Sequence, residues 1–112
     1  MAITNATITT GYTSAYTSSG NNAITSIIFC NTQAYNPALP SANIDYLYVH
    51  VVKSGESTTP PNANTIIVNG LPIPAGETVS LDQEKLVLEL NDKLIVKCTN
   101  GYLVATVSTL AV

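Results

Sequence analysis

Between Ile44 and Lys53 the side chains fall into two period-two sets, Leu47, Val49 and Val51 against Tyr46, Tyr48, His50 and Val52, the pattern of a β-strand. Neither set is polar, so both faces of this strand are expected to be covered, the second by an arm of the chain or by a neighbouring subunit. The same period recurs three times downstream. Leu86, Leu88 and Leu90 alternate with Lys85, Val87 and Glu89; Leu94, Val96 and Cys98 alternate with Lys93, Ile95 and Lys97; Leu103, Ala105 and Val107 alternate with Tyr102, Val104, Thr106 and Ser108. The spacing of the leucines at 86, 88 and 90 decides against a helix over Leu81 to Leu90, in spite of the helix propensity of Asp82, Glu84 and Lys85. Upstream, Ala23 to Cys30 is β-branched and apolar and predicts a strand that Asn31 ends.

Turn chemistry separates these segments. Asn36-Pro37 and Leu39-Pro40 make residues 32 to 43 a loop, and Gly55, Pro60 and Pro61 do the same for Ser54 to Asn64. Thr65 to Val68 reads as a short strand, Asn69-Gly70 as a tight turn, Leu71 to Gly76 as an extended link, and Thr78 to Leu81 as a brief strand. Asn91-Asp92 and Thr99-Asn100-Gly101 read as the turns of two hairpins. Short strands with turn signals every eight to twelve residues or so indicate an all-β fold, a single antiparallel β-sandwich or jelly-roll-like domain over residues 23 to 112. Its expected core is Leu47, Val49, Val51, Leu86, Leu88, Leu94, Val96, Leu103, Ala105 and Val107. Residues 1 to 22 are rich in Thr, Ser, Asn, Ala and Gly, with Ile3, Ile8, Tyr12 and Tyr16 thinly spaced. They predict an extended N-terminal arm or an edge strand that serves assembly more than folding.

Composition adds a reason to look for a partner. Of the 112 residues 46% are hydrophobic and only 10% are charged, against about 25% charged in ordinary soluble domains. Part of the surface is therefore expected to be covered by protein, in a homo-oligomer or a larger assembly. A net charge of -3 with four lysines and no arginine lacks the cationic patch that phosphate backbones require, which argues against nucleic acid as a partner. No apolar run approaches the 18 or so residues of a membrane helix, and the N-terminus has neither a basic nor a continuous apolar signal region, so a soluble protein made in the cytoplasm is expected, with Cys30 and Cys98 reduced and serving as small buried hydrophobes. The acceptor pattern Asn5-Ala6-Thr7 then has no consequence.

The inventory for chemistry is thin. His50 stands in mid-strand with no marked nucleophile, Cys30 and Cys98 have no neighbours at zinc spacing, and Asp82 with Glu84 or Glu89 with Asp92 sit beside turns where acids are solvated. No catalytic residue, cofactor or metal site is assigned. The six tyrosines, without any tryptophan, suit a protein interface. The candidate interface residues are Tyr46, Tyr48, His50 and Val52 on the strand, and Ile3, Ile8, Tyr12 and Tyr16 in the arm.

The order of the segments carries one resemblance. Asp45-Tyr46-Leu47-Tyr48-Val49-His50-Val51-Val52-Lys53-Ser54-Gly55, then Asn62-Ala63-Asn64-Thr65-Ile66-Ile67, then Ile73-Pro74-Ala75-Gly76-Glu77-Thr78, then Lys85-Leu86-Val87-Leu88-Glu89-Leu90-Asn91-Asp92-Lys93-Leu94 resembles small tailed-bacteriophage virion proteins, over roughly residues 23 to 112. Where their pattern has glycine before the hairpin Asp, this chain has Asn91, which tolerates the same left-handed geometry. The resemblance implies a non-enzymatic structural subunit located in the virion, either a capsid decoration (cement) protein bound to the major capsid protein or a component of the neck or tail. A carbohydrate-binding β-sandwich on the tail is the alternative.

Overall fold

The computed structural model describes residues 2–82 and 85–112. Nine strands are found among them: β1 (Ala2–Thr7), β2 (Thr13–Thr17), β3 (Asn22–Asn31), β4 (Asp45–Val52), β5 (Ile66–Ile73), β6 (Thr78–Leu81), β7 (Leu86–Leu88), β8 (Lys93–Cys98) and β9 (Leu103–Ala111). A single 3-10 turn at Ala63–Thr65 precedes β5. Sheet I has the order β1-β9-β3-β6, with β7 also pairing β3, and sheet II has the order β2-β8-β4-β5. Every pairing is antiparallel. The two sheets pack face to face as a β-sandwich.

The pairings are nested. β1 pairs β9, β2 pairs β8, β3 pairs β6 and β7, and β4 pairs β5, so the chain is one long hairpin whose successive pairs alternate between the sheets. β6 and β7 are two halves of one strand position, opposite Ile27–Cys30 and Asn22–Ile24 of β3 respectively.

Between the sheets lies the apolar core, and it contains Leu47, Val49, Leu88, Leu94, Val96, Leu103, Ala105 and Val107, as the alternation predicts, with Val51 and Leu86 half-buried against it. Phe29, Ile27 and Ile24 of β3 complete the wall from sheet I. Cys98 is in the core, whereas Cys30 points to the outer side of sheet I and is half-buried; both are free thiols.

Four local expectations need correction. Asn69-Gly70 does not turn the chain back, because β5 runs through it. Gly70 has φ +75° and sits where the register with β4 shifts, so the dipeptide makes a bulge, with the Tyr48 ring packed against the glycine. The expected link at Leu71 to Ile73 is the second half of β5, where Pro72 is tolerated because β5 is an edge strand. Neither Asn91-Asp92 nor Thr99-Asn100-Gly101 closes a hairpin, although Asn91 and Gly101 have the expected positive φ: β7 and β9 belong to sheet I and β8 to sheet II, so both turns cross the sandwich. Of the two readings of the N-terminal stretch, arm or edge strand, the structure has the second. β1 and β2 are edge strands, one in each sheet, and between and within them Ile8 and Ala15 are buried in the core.

Two buried polar side chains organise one end of the sandwich. Asp45, fully buried at the start of β4, accepts from the backbone N–H groups of Tyr46, Thr99 and Asn100 on Oδ1 (2.8, 2.9 and 2.8 Å) and of Tyr102 on Oδ2 (2.8 Å). It thereby fixes the turn between β8 and β9. Burial pushes its carboxyl pKa up, but the N–H donors of Tyr102, Asn100 and Tyr46 and the Cys98 thiol outweigh this and hold it below the ordinary 3.8. Asn31 at the end of β3 donates from Nδ2 to the carbonyls of Asn43 (2.8 Å) and Ile73 (2.9 Å), and its Oδ1 accepts from the Gln33 N–H (3.0 Å).

Two outcomes follow from this architecture. Deleting residues 2 to 17 should abolish the cooperative thermal transition seen by circular dichroism, since it removes an edge from each sheet together with Ile8 and Ala15. Asp45→Asn should cost about 3 kcal/mol in a denaturant titration, because an amide replaces one acceptor oxygen by a donor facing an N–H. The folded-state pKa of Asp45 is depressed, so its contribution is complete above the unfolded value near 3.8 and is lost as pH falls through the folded value; the stability gap between wild type and Asp45→Asn should shrink in that acid range.

Candidate interaction surfaces

The two outer faces of the sandwich differ in chemistry. On sheet II, Tyr48 of β4 stands opposite Lys97 of β8. The Lys97 Nζ lies 5.0 Å from the Tyr48 ring centroid and 5.1 Å from that of Tyr12, so one ammonium bridges two rings by cation–π attraction. The Tyr12 ring also meets the His50 ring edge-on, with centroids 5.8 Å apart. His50 is 5% exposed, and its Nδ1 is 2.9 Å from Thr65 Oγ1, which itself donates to the Asn62 carbonyl at 2.7 Å. The hydroxyl proton is thus committed, and His50 donates through Nδ1–H. Burial lowers the His50 pKa below 6.5, the Asn62 backbone contact opposes this and the charge of Lys97 adds to it.

The expected interface strand is therefore covered largely by its own chain. His50 and Val52 are buried within the subunit, His50 beneath Tyr12 and the segment that carries Asn62 and Thr65, and Ile8 is a core residue; these three do not present themselves to a partner. Tyr12, Tyr16 and Tyr48 are half-buried, and only Tyr46, at 40%, and Ile3, at 67%, are exposed. The structure groups Tyr12, Tyr48 and His50 around Lys97 and sets Ile3 in the other sheet.

Sheet I is different. None of its five strands contains a charged residue. On its outer face the register lines up three rows of outward-facing residues: Ile3, Ser108 and Ser26; Asn5, Thr106, Ile28 and Ser80; Thr7, Val104, Cys30 and Thr78. Thr106 Oγ1 donates to Asn5 Oδ1 along the second row (3.1 Å). Ile3, Ile28, Val87 and Leu110 are all more than a third exposed on these strands. The face is an array of hydroxyl and aliphatic side chains with the Asn5 amide and the Cys30 thiol among them. A signal for it exists in the sequence: residues 1 to 44 and 98 to 112 hold no Asp, Glu, Lys or Arg, so every charge lies between Asp45 and Lys97. The nested pairing brings β1, β3 and β9, all from the uncharged ends of the chain, together in sheet I, while β2 from the same end joins sheet II.

The remaining chemistry is sparse. Asp92 spends both carboxylate oxygens on backbone donors, Ser54 N–H and Glu89 N–H, each at 2.9 Å. Glu84 lies outside the described residues, and among those described no group of three His, Cys, Asp or Glu is placed to hold a metal ion. The Cys98 thiol is pushed up in pKa by burial, with nearby Asp45 adding to the effect, and donates to the Ile8 carbonyl at 3.5 Å. No described helix is long and apolar enough to cross a membrane. A cleft of about 430 Å³ opens where β5 faces β6 and β7, with Ile24, Ile27, Ile67, Val68, Leu81 and Leu86 in its walls.

No family model matches the chain, and no curated protein or solved structure matches it.

The His50 arrangement has a measurable consequence. A folded-state pKa below 6.5 means that the unfolded chain takes up the proton first, so His50 leaves stability intact above 6.5 and erodes it as pH falls from there to the folded value. Melting temperatures recorded from neutral pH downward should show this decline in the wild type, and His50→Gln should flatten that part of the curve while leaving the more acidic drop from Asp45 in place.

Proposed function

We propose that this chain is a non-enzymatic structural subunit of a bacteriophage particle, a capsid decoration (cement) protein that lies against the shell through the outer face of sheet I, with the major capsid protein as its partner. The observation that carries this reading is the absence of charge from all five strands of that sheet. Burying a charge against a partner costs several kcal/mol unless it is paired, whereas rotatable Thr and Ser hydroxyls find partners readily and the Ile, Val and Leu side chains gain from leaving water. The low charged fraction is thereby located on one surface. The choice of a phage particle as the assembly rests on the resemblance of residues 23 to 112 to small tailed-phage virion proteins, and the protein would reach the virion after synthesis in the host cytoplasm.

The winding supports the same reading. With β6 and β7 taken as one strand position, the nested pairs give the order of a jelly roll, an architecture that viral capsid and lectin domains use. A fold of this kind hosts many functions, so the argument rests on the face and not on the winding. Of the rings that could stack on a glycan, Tyr12 and Tyr48 are occupied by Lys97, which leaves Tyr35 and Tyr46 as exposed ones.

The test is co-sedimentation with purified particles that lack the protein, followed by electron cryomicroscopy of the complex. The wild type should bind the shell at regular positions with sheet I against it. Ile28→Lys, which adds one charge at the centre of the face, should weaken binding at least tenfold, about 1.4 kcal/mol, without moving the melting temperature by more than about a degree or two, since Ile28 is solvent-exposed. Failure of the wild type to bind, binding at the neck or tail alone, or an Ile28→Lys variant that binds as well as the wild type would each overturn the proposal.

A further inference from the structure

The sandwich has four sheet edges, and three of them carry features that discourage pairing with another strand. β5 contains Pro72 and the Gly70 bulge. β2 is five residues long and its register with β8 shifts between Ser14 and Tyr16. The edge made by β6 and β7 is broken into pieces of four and three residues, with Lys85 Nζ donating to the Thr25 carbonyl (2.8 Å) across the break.

β1 has none of these features. Its six residues, Ala-Ile-Thr-Asn-Ala-Thr, hold an unbroken register with β9 from Ala2 opposite Thr109 to Thr7 opposite Val104. There is no proline, glycine, charge or bulge in it. In an antiparallel ladder alternate residues turn their N–H and C=O groups to opposite sides, so half of the β1 backbone faces away from β9, and no strand among those described pairs with it there.

We infer that β1 is a self-pairing edge, through which two copies of this chain join antiparallel, β1 against β1, about a twofold axis. A second copy is the occupant because the strand meets its own sequence in that arrangement. An edge with charges would set like against like close to the axis, and this one has none to oppose. The twofold contact is isologous and closes on itself, so it yields a dimer and not a fibre. The two copies of sheet I then form one continuous sheet, and their uncharged outer faces become a single surface of twice the extent. Six paired residues span about 20 Å, which is small for an interface, so the dimer should dissociate on dilution. This inference rests on the edge alone and stands whether or not the partner of the outer face is a phage shell.

Sedimentation velocity over a wide concentration series, combined with hydrogen exchange, tests it. The wild type should shift from monomer to dimer as concentration rises, and alternate β1 amides should become protected over the same range. The double variant Ile3→Lys/Asn5→Lys, which places two exposed lysines on each edge, should stay monomeric with the melting temperature of the dilute wild type. Ile28→Lys, on the same face but away from the edge, should dimerise normally, which separates this result from any loss of particle binding. A wild type that is monomeric at every concentration, a double variant that dimerises like the wild type, or β1 amides that gain protection only when particles are added would overturn self-pairing.

Discussion

The Asp45 carboxylate is the tie on which the arrangement of the sheets depends. β4 and β8 are the central strands of sheet II, and β9 and β3 are the central strands of sheet I. The turn at residues 99 to 102 carries the chain from β8 to β9, from the middle of one sheet to the middle of the other, and three of its backbone N–H groups point at Asp45 at the start of β4. One side chain thus sets the phase of three central strands. A charged acceptor is effective here because the donors are fixed in the backbone, and a buried acceptor with fewer donors would be destabilising. Asn31 does the corresponding work for the end of β3, clasping the residue 43 loop and the end of β5.

From this the nested topology takes its character. Strands β1 and β9 lie at opposite ends of the chain and pair over their whole common length, so the outermost pairing closes a loop of nearly the entire sequence. Such pairings are costly in chain entropy until the inner pairs are in place, which predicts slow, cooperative folding with little to be gained from isolated segments. The innermost pair, β4 with β5, is bridged by the segment that supplies Thr65 and Asn62 to His50, and so the covering of His50 belongs to the folding of that pair.

What the sequence reveals and what it hides follow from the range of each interaction. The period-two sets at Leu47 and Val49, at Leu94 and Val96, and at Leu103, Ala105 and Val107 identify core-facing positions because alternation is a property of each strand alone. Positive φ at Asn91 and Gly101 is equally local. Whether the next strand stays in the same sheet is not local, and both turns therefore pass for hairpins. Asn69-Gly70 misleads for a related reason, since the residues that permit a tight turn also permit a bulge within a continuing strand. The N-terminal strands are hard to see because an edge strand needs few inward residues, Ala6 and Ile8 near β1 and Ala15 in β2. The interface expectation fails at His50 and Val52 because a strand apolar on both sides can be covered by a loop of its own chain. The position of the charged residues along the sequence, combined with the pairing of β1 with β9, does reveal the uncharged strands of sheet I.

That separation makes the molecule electrically lopsided. All eleven formal charges sit in the segment from residue 45 to residue 97; within the strands only Asp45, Lys93 and Lys97 of sheet II carry one, and the others lie in the connections, Lys85 among them at the broken edge of sheet I. Copies crowded onto any surface would repel one another through these connections, whose net charge is acidic, over a Debye length of about 8 Å at physiological ionic strength, and would touch without penalty through the uncharged strands. Salt should then set how densely such copies can stand side by side, with little influence on how firmly each one adheres.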